Sequence, residues 1–323
     1  MGTPGFAVPT LQSMADQGFL PLCVVTAPDK PLGRGLKVQP SPVKLKALEL
    51  GLPVLQPQTL DETAFLDQVR ALHPDLLIVV AFRKLPVGLL AIPQKGAINL
   101  HASLLPQYRG AAPINWALIN GEKESGLTTF FIDRQIDTGK IIHQDRVLLD
   151  DEMNAGQLHD LLMRRGADLM IQTLRSVQSS EYQLIDQDEI RGSLVELKKA
   201  PKIFRENCEI NWMQTARNVK NLIRGLCPSP GAYTYLISPS GEQFMLKIYG
   251  VDIEITPASK VPARLETDAK RMLRISSGDG YVYLREVQMQ GKKIMFIDEL
   301  LRGFPLNNDW QVRNSEGKPS EKP

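Results

Sequence analysis

Cysteine is scarce in this chain. Cys23, Cys208 and Cys227 are the only three in 323 residues, and their scatter excludes both a disulfide framework and a CxxC-type zinc site. No apolar run approaches the ~18 residues that a membrane-spanning helix requires. The opening Met1-Gly2-Thr3-Pro4-Gly5 has neither the basic nor the apolar region of a signal peptide. Phe6 stands where a myristoylation motif needs Ser or Thr. These absences make the cytosol the expected compartment. The common nucleotide and hydrolase signatures are missing too. Gly33-Arg34-Gly35 continues as Leu36-Lys37-Val38 rather than as a dinucleotide fingerprint, and there is no P-loop, nucleophile elbow or HExxH pair. A nicotinamide dehydrogenase is disfavoured on that ground.

What is present is an ordinary globular balance, 43% hydrophobic and 23% charged, which excludes disorder throughout. At roughly 100–200 residues per domain, the length implies about two domains. The net charge of +2 hides a regional difference. Residues 1–200 carry 20 Lys and Arg against 22 Asp and Glu, whereas residues 201–310 carry 15 against 12. The mildly basic second part is compatible with a polyanionic partner.

Hydrophobic spacing predicts alternating elements over residues 8–180, within a first domain expected over 1–185. Helices are expected at 8–17, 42–51, 61–73, 112–120 and 154–176. The second of these has Ser41 as cap, Pro42 at its first position and Gly51 at its stop. Strands are expected at 20–26, 76–82, 97–101 and 128–132. The run 76–82 (LLIVVAF) is apolar throughout, as in a strand covered on both faces. This alternation implies βαβ units and a mostly parallel sheet. Residues 186–204 read as a polar linker. From 205 to 312 the segments shorten, with strands at 244–253, 272–276 and 280–289 and one helix at 215–225. That pattern suggests a small β domain with a barrel option. Residues 313–323 read as a polar, frayed tail.

His101 is the histidine to single out among four. His73, His143 and His159 fall at a helix end, in an alternating strand and on a helix, where structural roles suffice. His101 ends the strand 97–101, and in open α/β sheets ligands collect at the carboxyl ends of strands. Asn99 lies two residues before it, so both side chains leave the same face. An amide and an imidazole together can hold a developing oxyanion. The loop that follows places Leu104 and Leu105 where an aromatic ring ligand would find apolar contact. Asp137, in Asp137-Thr138-Gly139 after the strand 128–132, is placed to orient an imidazole, although a plain turn aspartate explains it equally well alone. Asp29 to Lys37 form a basic, Gly- and Pro-rich loop that suits phosphate contact and equally a mobile surface loop.

Taken in order, these stretches resemble the methionyl-tRNA formyltransferase family. The matching residues are 1–10, 28–36 with 41–45, 99–116 and 136–140, continuing through 200–204, 210–212 and 223–225 to 299–301. The Asn99/His101, Ser103–Pro106 and Asp137–Gly139 set is specific for folate-dependent formyltransferases. The loop around Arg34 and the C-terminal part resemble the tRNA-acting branch. The resemblance implies a Rossmann-like catalytic domain and a C-terminal OB-like barrel. It implies formyl transfer from 10-formyltetrahydrofolate to the α-amino group of methionyl initiator tRNA, without a metal, by a monomer. Carried over residue by residue, Asn99, His101 and Asp137 form the catalytic set. Ser103, Leu104, Leu105 and Pro106 line the folate site, and Arg34, Lys37 and Lys202 approach the tRNA.

Two features depart from the family pattern. Only Met1 precedes the first turn, so the first, central strand is expected to be missing and the true start to lie upstream. Without that strand, the neighbouring N–H and C=O groups lose their partners. Gly5 also replaces the usual acidic residue, which weakens a helix cap. Three other readings share part of this pattern: a formyltransferase with a small amine acceptor, a hydrolase releasing formate from the folate, and a nucleic-acid-binding module without catalysis.

Overall fold

The computed structural model describes residues 1–32, 37–191, 196–256 and 261–313. The chain forms two compact units. One comprises Met1–Pro113, Glu124–Leu148 and His159–Pro201; the other comprises Ile114–Lys123, Leu149–Leu158 and Lys202–Pro323. The division thus falls at 201/202, inside the stretch expected as a linker, and two excursions from the first 200 residues fold with the second unit.

The first unit is built from strands β1 (Val24–Val25), β2 (Lys30–Leu32), β3 (Lys37–Gln39), β4 (Val54–Leu55), β5 (Leu77–Val80), β6 (Ala97–His101), β7 (Arg109–Gly110), β8 (Glu124–Phe131), β9 (Ile141–Leu148) and β10 (Lys199–Ala200). Its helices are α1 (Val8–Asp16), α2 (Pro42–Glu49), α3 (Thr63–Ala71) and α4 (Val87–Leu90). After α5 (Pro113–Ile119), which passes into the second unit, come α6 (Ala155–Ser179) and α7 (Gln187–Arg191). The pairs β1–β4 and β5–β6 are parallel, as βαβ alternation requires. The sheet then turns antiparallel at β6–β8 and β8–β9. Ser41 caps α2 by accepting from the Lys44 amide, and Asn154 and Gln157 cap α6 reciprocally. α1 has no side-chain cap; a 3-10 turn at Gly5–Ala7 leads into it instead. The strand expected at 20–26 shortens to β1.

Met1 and Gly2 lie between β1 and β5. The Val80 amide donates to the Met1 carbonyl, the Gly2 amide donates to the Val25 carbonyl, and the terminal amine donates to the Ile78 carbonyl. The amide of Leu77 is turned toward Gly96, and those of Val24 and Thr26 toward Pro53 and Leu55. By strand alternation the amides of Ile78 and Val25 turn the other way. They face a cavity of about 360 Å³ lined by Met1, Gly2, α1, β1 and β5. Thr10 lines it as well, 2% exposed, and its hydroxyl has no partner among the described residues.

The second unit is one bent antiparallel sheet, a nearly closed barrel. Its strands are β11 (Ala232–Ile237), β12 (Gln243–Ile255), β13 (Leu265–Thr267), β14 (Leu273–Ser276), β15 (Gly280–Met289), β16 (Met295–Phe296) and β17 (Gln311–Val312), with helices α8 (Ala216–Leu226) and α9 (Ile297–Gly303). The order is β13-β14-β15-β12-β11-β17, with β16 on β15. The register of β12 against β15 shifts at Gly250, and such a bulge bends a long strand. Trp212 is wholly buried, its indole N–H donating to Thr234, among Ile210, Val219, Ile223 and Ile248. Gly225 explains why α5 groups with this unit. A Cβ there would press on Ile119, and the Gly225 carbonyl accepts from Asn115. Arg224, 6% exposed, donates to Asn221 and to the Asp150 carbonyl, and desolvation lowers its pKa. Residue 313, expected at the start of the frayed tail, is anchored. The Arg313 guanidinium lies 3.8 Å from the Tyr235 ring centroid and 2.7 Å from Glu209. Residues 314–323 lie outside the described residues. Among the described residues no helix is long and apolar enough to cross a membrane.

The unpaired Thr10 hydroxyl has a measurable consequence. Thr10→Val keeps the volume and removes a buried polar atom, so it is expected to stabilise the chain by about 1 kcal/mol. Urea unfolding of the two chains measures this; an unchanged or lower midpoint contradicts it.

Candidate active site

β6 sets the site. Leu100 faces α6, where Gly166 leaves room for its side chain. Alternation therefore turns Asn99 and His101 to the opposite face. His101 is 6% exposed and Asn99 half-buried. The Nε2 of His101 lies 2.9 Å from the Tyr108 carbonyl, and since a carbonyl only accepts, this nitrogen carries the proton. Nδ1 is thereby turned toward Asp137, whose Oδ2 lies 3.9 Å away. That separation is beyond a hydrogen bond but within ion-pair range for a protonated ring.

Asp137 is held by its surroundings rather than by its own turn. Its φ of 58° is left-handed, a conformation that costs a non-glycine residue roughly 1–2 kcal/mol. Its Oδ2 accepts from the Gly110 amide at 3.0 Å. Gly110 and Gly139 are both forced by close approach. A Cβ on Gly110 would strike the Ala200 carbonyl, and one on Gly139 the Phe131 carbonyl. Thr138 instead donates to Asp133, outside the site.

The segment after His101 is clamped by the antiparallel half of the sheet. Thr128 Oγ1 donates to the Ser103 carbonyl and accepts from the Leu105 amide, and Gln144 donates to the Leu105 carbonyl. Ser103 donates to the Gln107 carbonyl. Leu105 was expected to face a ring ligand. Its side chain is 1% exposed and packs with Phe130 and Ile141 in a core cluster. Leu104 is half-buried over Gly126, and Pro106 is buried. The residues brought together are thus His101 and Asp137, with Asn99 on the same strand face and 103–106 immediately after.

Sequence reasoning missed the rest of the frame. The Tyr108 amide donates to the Lys198 carbonyl, and β7 pairs in parallel with β10. The stretch expected as linker therefore builds one wall of the site. Gln187, 1% exposed, comes from it as well. A buried glutamine in a polar stretch carries no periodic signal; only the structure finds it.

The residues expected to meet tRNA are placed differently. Arg34 lies outside the described residues. The backbone of Lys37 opens β3, and its side chain is likewise outside them. Lys202 is exposed, with Nζ 5.4 Å from the Phe204 ring centroid. Two of the other three histidines have partners of their own. His143 bonds Ser176, with burial lowering its pKa. His159 meets Asp160 and the edge of Phe6. No group of three or more His, Cys, Asp or Glu that could hold a metal occurs among the described residues.

The chain as a whole has relatives among known proteins. Residues 2–174 match the formyl transferase family, and residues 202–305 match the formyl transferase C-terminal domain. The fold and these two matches define a formyl transferase, an enzyme that moves a one-carbon unit. A methionyl-tRNA formyltransferase of Bacteroides thetaiotaomicron is 46% identical over 313 residues, 97% of each chain. One of Porphyromonas gingivalis is 42% identical, also over 97% of each. The chain belongs to the methionyl-tRNA formyltransferase family. Among solved structures, a sugar 3N-formyl transferase, WlaRD, crystallised with dTDP and 5-N-formyl-THF, superposes with a TM-score of 0.62 at 20% identity. It covers 90% of this chain and 97% of its own. At that identity the likeness is one of fold.

Gly139→Ala is expected to destabilise the first unit by roughly 2–4 kcal/mol, because backbone must move to admit the Cβ. Urea unfolding reads this; a loss below 0.5 kcal/mol, on the scale of an ordinary surface substitution, contradicts the close approach.

Proposed function

We infer that this chain transfers the formyl group of 10-formyltetrahydrofolate to the α-amino group of methionyl initiator tRNA, in the cytosol and as a monomer. The observation that carries this is the buried His101, tied by one ring nitrogen to Tyr108 and turned by the other toward Asp137, with Asn99 beside it. The free amine attacks the formyl carbon. A carbon–nitrogen bond forms there as the bond to the folate nitrogen breaks, through a tetrahedral oxyanion. Asn99, whose amide bonds no group among the described residues, supplies one donor to that oxyanion. Protonated His101 supplies the other through Nδ1–H. Asp137 balances the imidazolium and takes the proton released by the amine, directly or through water. No other acid is needed: the departing folate nitrogen receives the proton in turn.

The residue chemistry fits a folate. Ser103, Leu104, Leu105 and Pro106 present a backbone held rigid by Thr128 and Gln144, and an extended ring system reads such a wall through hydrogen bonds to main-chain groups. The second unit offers features that suit a polyanion. Phe204 is 57% exposed, Lys202 lies over its ring, and Arg205 lies over Tyr233. Cations interleaved with an exposed aromatic ring favour phosphates and unstacked bases. Together with Arg34 and Lys37, these residues are the proposed tRNA contacts.

Radiolabelled methionyl initiator tRNA and 10-formyltetrahydrofolate test the reading, with formyl-methionine measured after deacylation. The unaltered chain is expected to produce it. Asn99→Ala and His101→Ala are each expected to lower kcat by ~10²–10³. Formate released without acceptor would mark a hydrolase, and transfer only to small amines would mark the other branch. Salt tests the second unit. The double substitution Lys202→Ala, Arg205→Ala is expected to raise the KM for tRNA by ~10-fold and to flatten its salt dependence by about 1–2 in log–log slope. The KM for folate should be unmoved; an unchanged slope removes these residues from the interface.

A further inference from the structure

We propose that Gln187 is a positioning residue for the transfer, holding the Asp137 turn in place from the segment that follows α6. This deepens the formyl-transfer reading and rests on it. The side chain of Gln187 has all of its bonding capacity used in one place. Its Nε2 donates to the carbonyl of Asp137 at 3.0 Å and to the carbonyl of Gly139 at 2.7 Å. Its Oε1 accepts from both Nε and Nη2 of Arg109, at 3.0 and 2.7 Å. Arg109 directly precedes Gly110, whose amide bonds the Asp137 carboxylate. Gln187 therefore clasps Asp137 from two sides: by its own main chain, and through the strand that hydrogen-bonds its carboxylate.

The physical need for such a clasp is visible in the backbone. Asp137 holds a left-handed φ, and the Asp137 and Gly139 carbonyls point inward toward the Gln187 amide instead of toward solvent. An unclasped turn relaxes, because a strained conformation persists only where its surroundings over-determine it. Relaxation moves the carboxylate away from His101 Nδ1, where a displacement of about 1 Å is enough to cost ~10²-fold in rate. A buried amide that donates twice and accepts twice is also specific to glutamine. Glutamate of the same shape retains the arginine contact and loses both donated bonds. Methionine retains the volume and loses all four.

The experiment compares Gln187→Glu and Gln187→Met in the full chain, each with and without Asp137→Asn. Both single variants are expected to lower kcat for formyl transfer at least 10-fold, with the KM for folate within two-fold and Tm within a few degrees. In the Asp137→Asn background both are expected to cost less than two-fold, since a residue acting through Asp137 has nothing left to position. Equal losses in both backgrounds, a change in KM alone, or a loss with glutamate but not methionine would each overturn the proposal. Amide hydrogen exchange supplies a readout independent of any substrate. The Gly110 amide is expected to exchange at least 10-fold faster in both Gln187 variants, while amides of β5 and β6 keep their rates. Faster exchange throughout the first unit would make Gln187 a general stability residue and overturn its positioning role. If the unaltered chain transfers no formyl group, the proposed function fails, and the Gly110 exchange still decides Gln187.

Discussion

Asp137 must stand within ion-pair reach of a buried imidazole while its own backbone occupies a left-handed conformation. The first unit is organised around meeting that constraint. The cost of the turn is on the order of 1–2 kcal/mol, small beside the burial of the surrounding strands but enough to displace the carboxylate if unopposed. It is opposed by the Gly110 amide, by the close approach of Gly139 to Phe131, and by the chain that returns along β10. Each of these needs a backbone free of side-chain bulk or a fixed donor, which is why two glycines and a buried glutamine surround one aspartate.

The mixed sheet serves the same end. The parallel strands β5 and β6 deliver Asn99 and His101 to a strand end. The antiparallel strands β8 and β9 then supply the Thr128 and Gln144 side chains that hold Ser103 to Leu105. A wholly parallel sheet would place a helical crossover on that side, and no hairpin would reach the loop. α6, packed through Gly166, covers the far face and leaves the polar face for chemistry. The second unit has a separate core around Trp212 and a curved sheet.

Much of this was legible in the residues. The helix over 42–51 showed its Ser41 cap and Pro42 entry, and β6 with its polar pair showed itself by ending an apolar strand in Asn99 and His101. The shift near residue 205 from long to short segments marked the barrel. Other features were not legible. β1 shrank to two residues because apolar composition alone does not say how long a strand stays paired. Leu105 looked like a ring-binding residue because a leucine in a loop is ambiguous until the packing around it is known. The stretch 186–204 looked like a linker because polar composition describes exposed chain and equally describes chain whose polar groups are all engaged.

The sequence by itself determined the periodic elements, the polar pair on β6, and the motif set that placed the chain among folate-dependent formyltransferases. Those are local properties: spacing, capping and short runs of residue type. Tertiary structure alone decided the pairing of β7 with β10, the inward turn of Leu105, and the support of Asp137 by residues 27 positions before it and 50 positions after it. Hydrogen bonds between groups so far apart leave no periodic trace, because they depend on where the folded backbone brings two segments together and not on what either segment prefers alone.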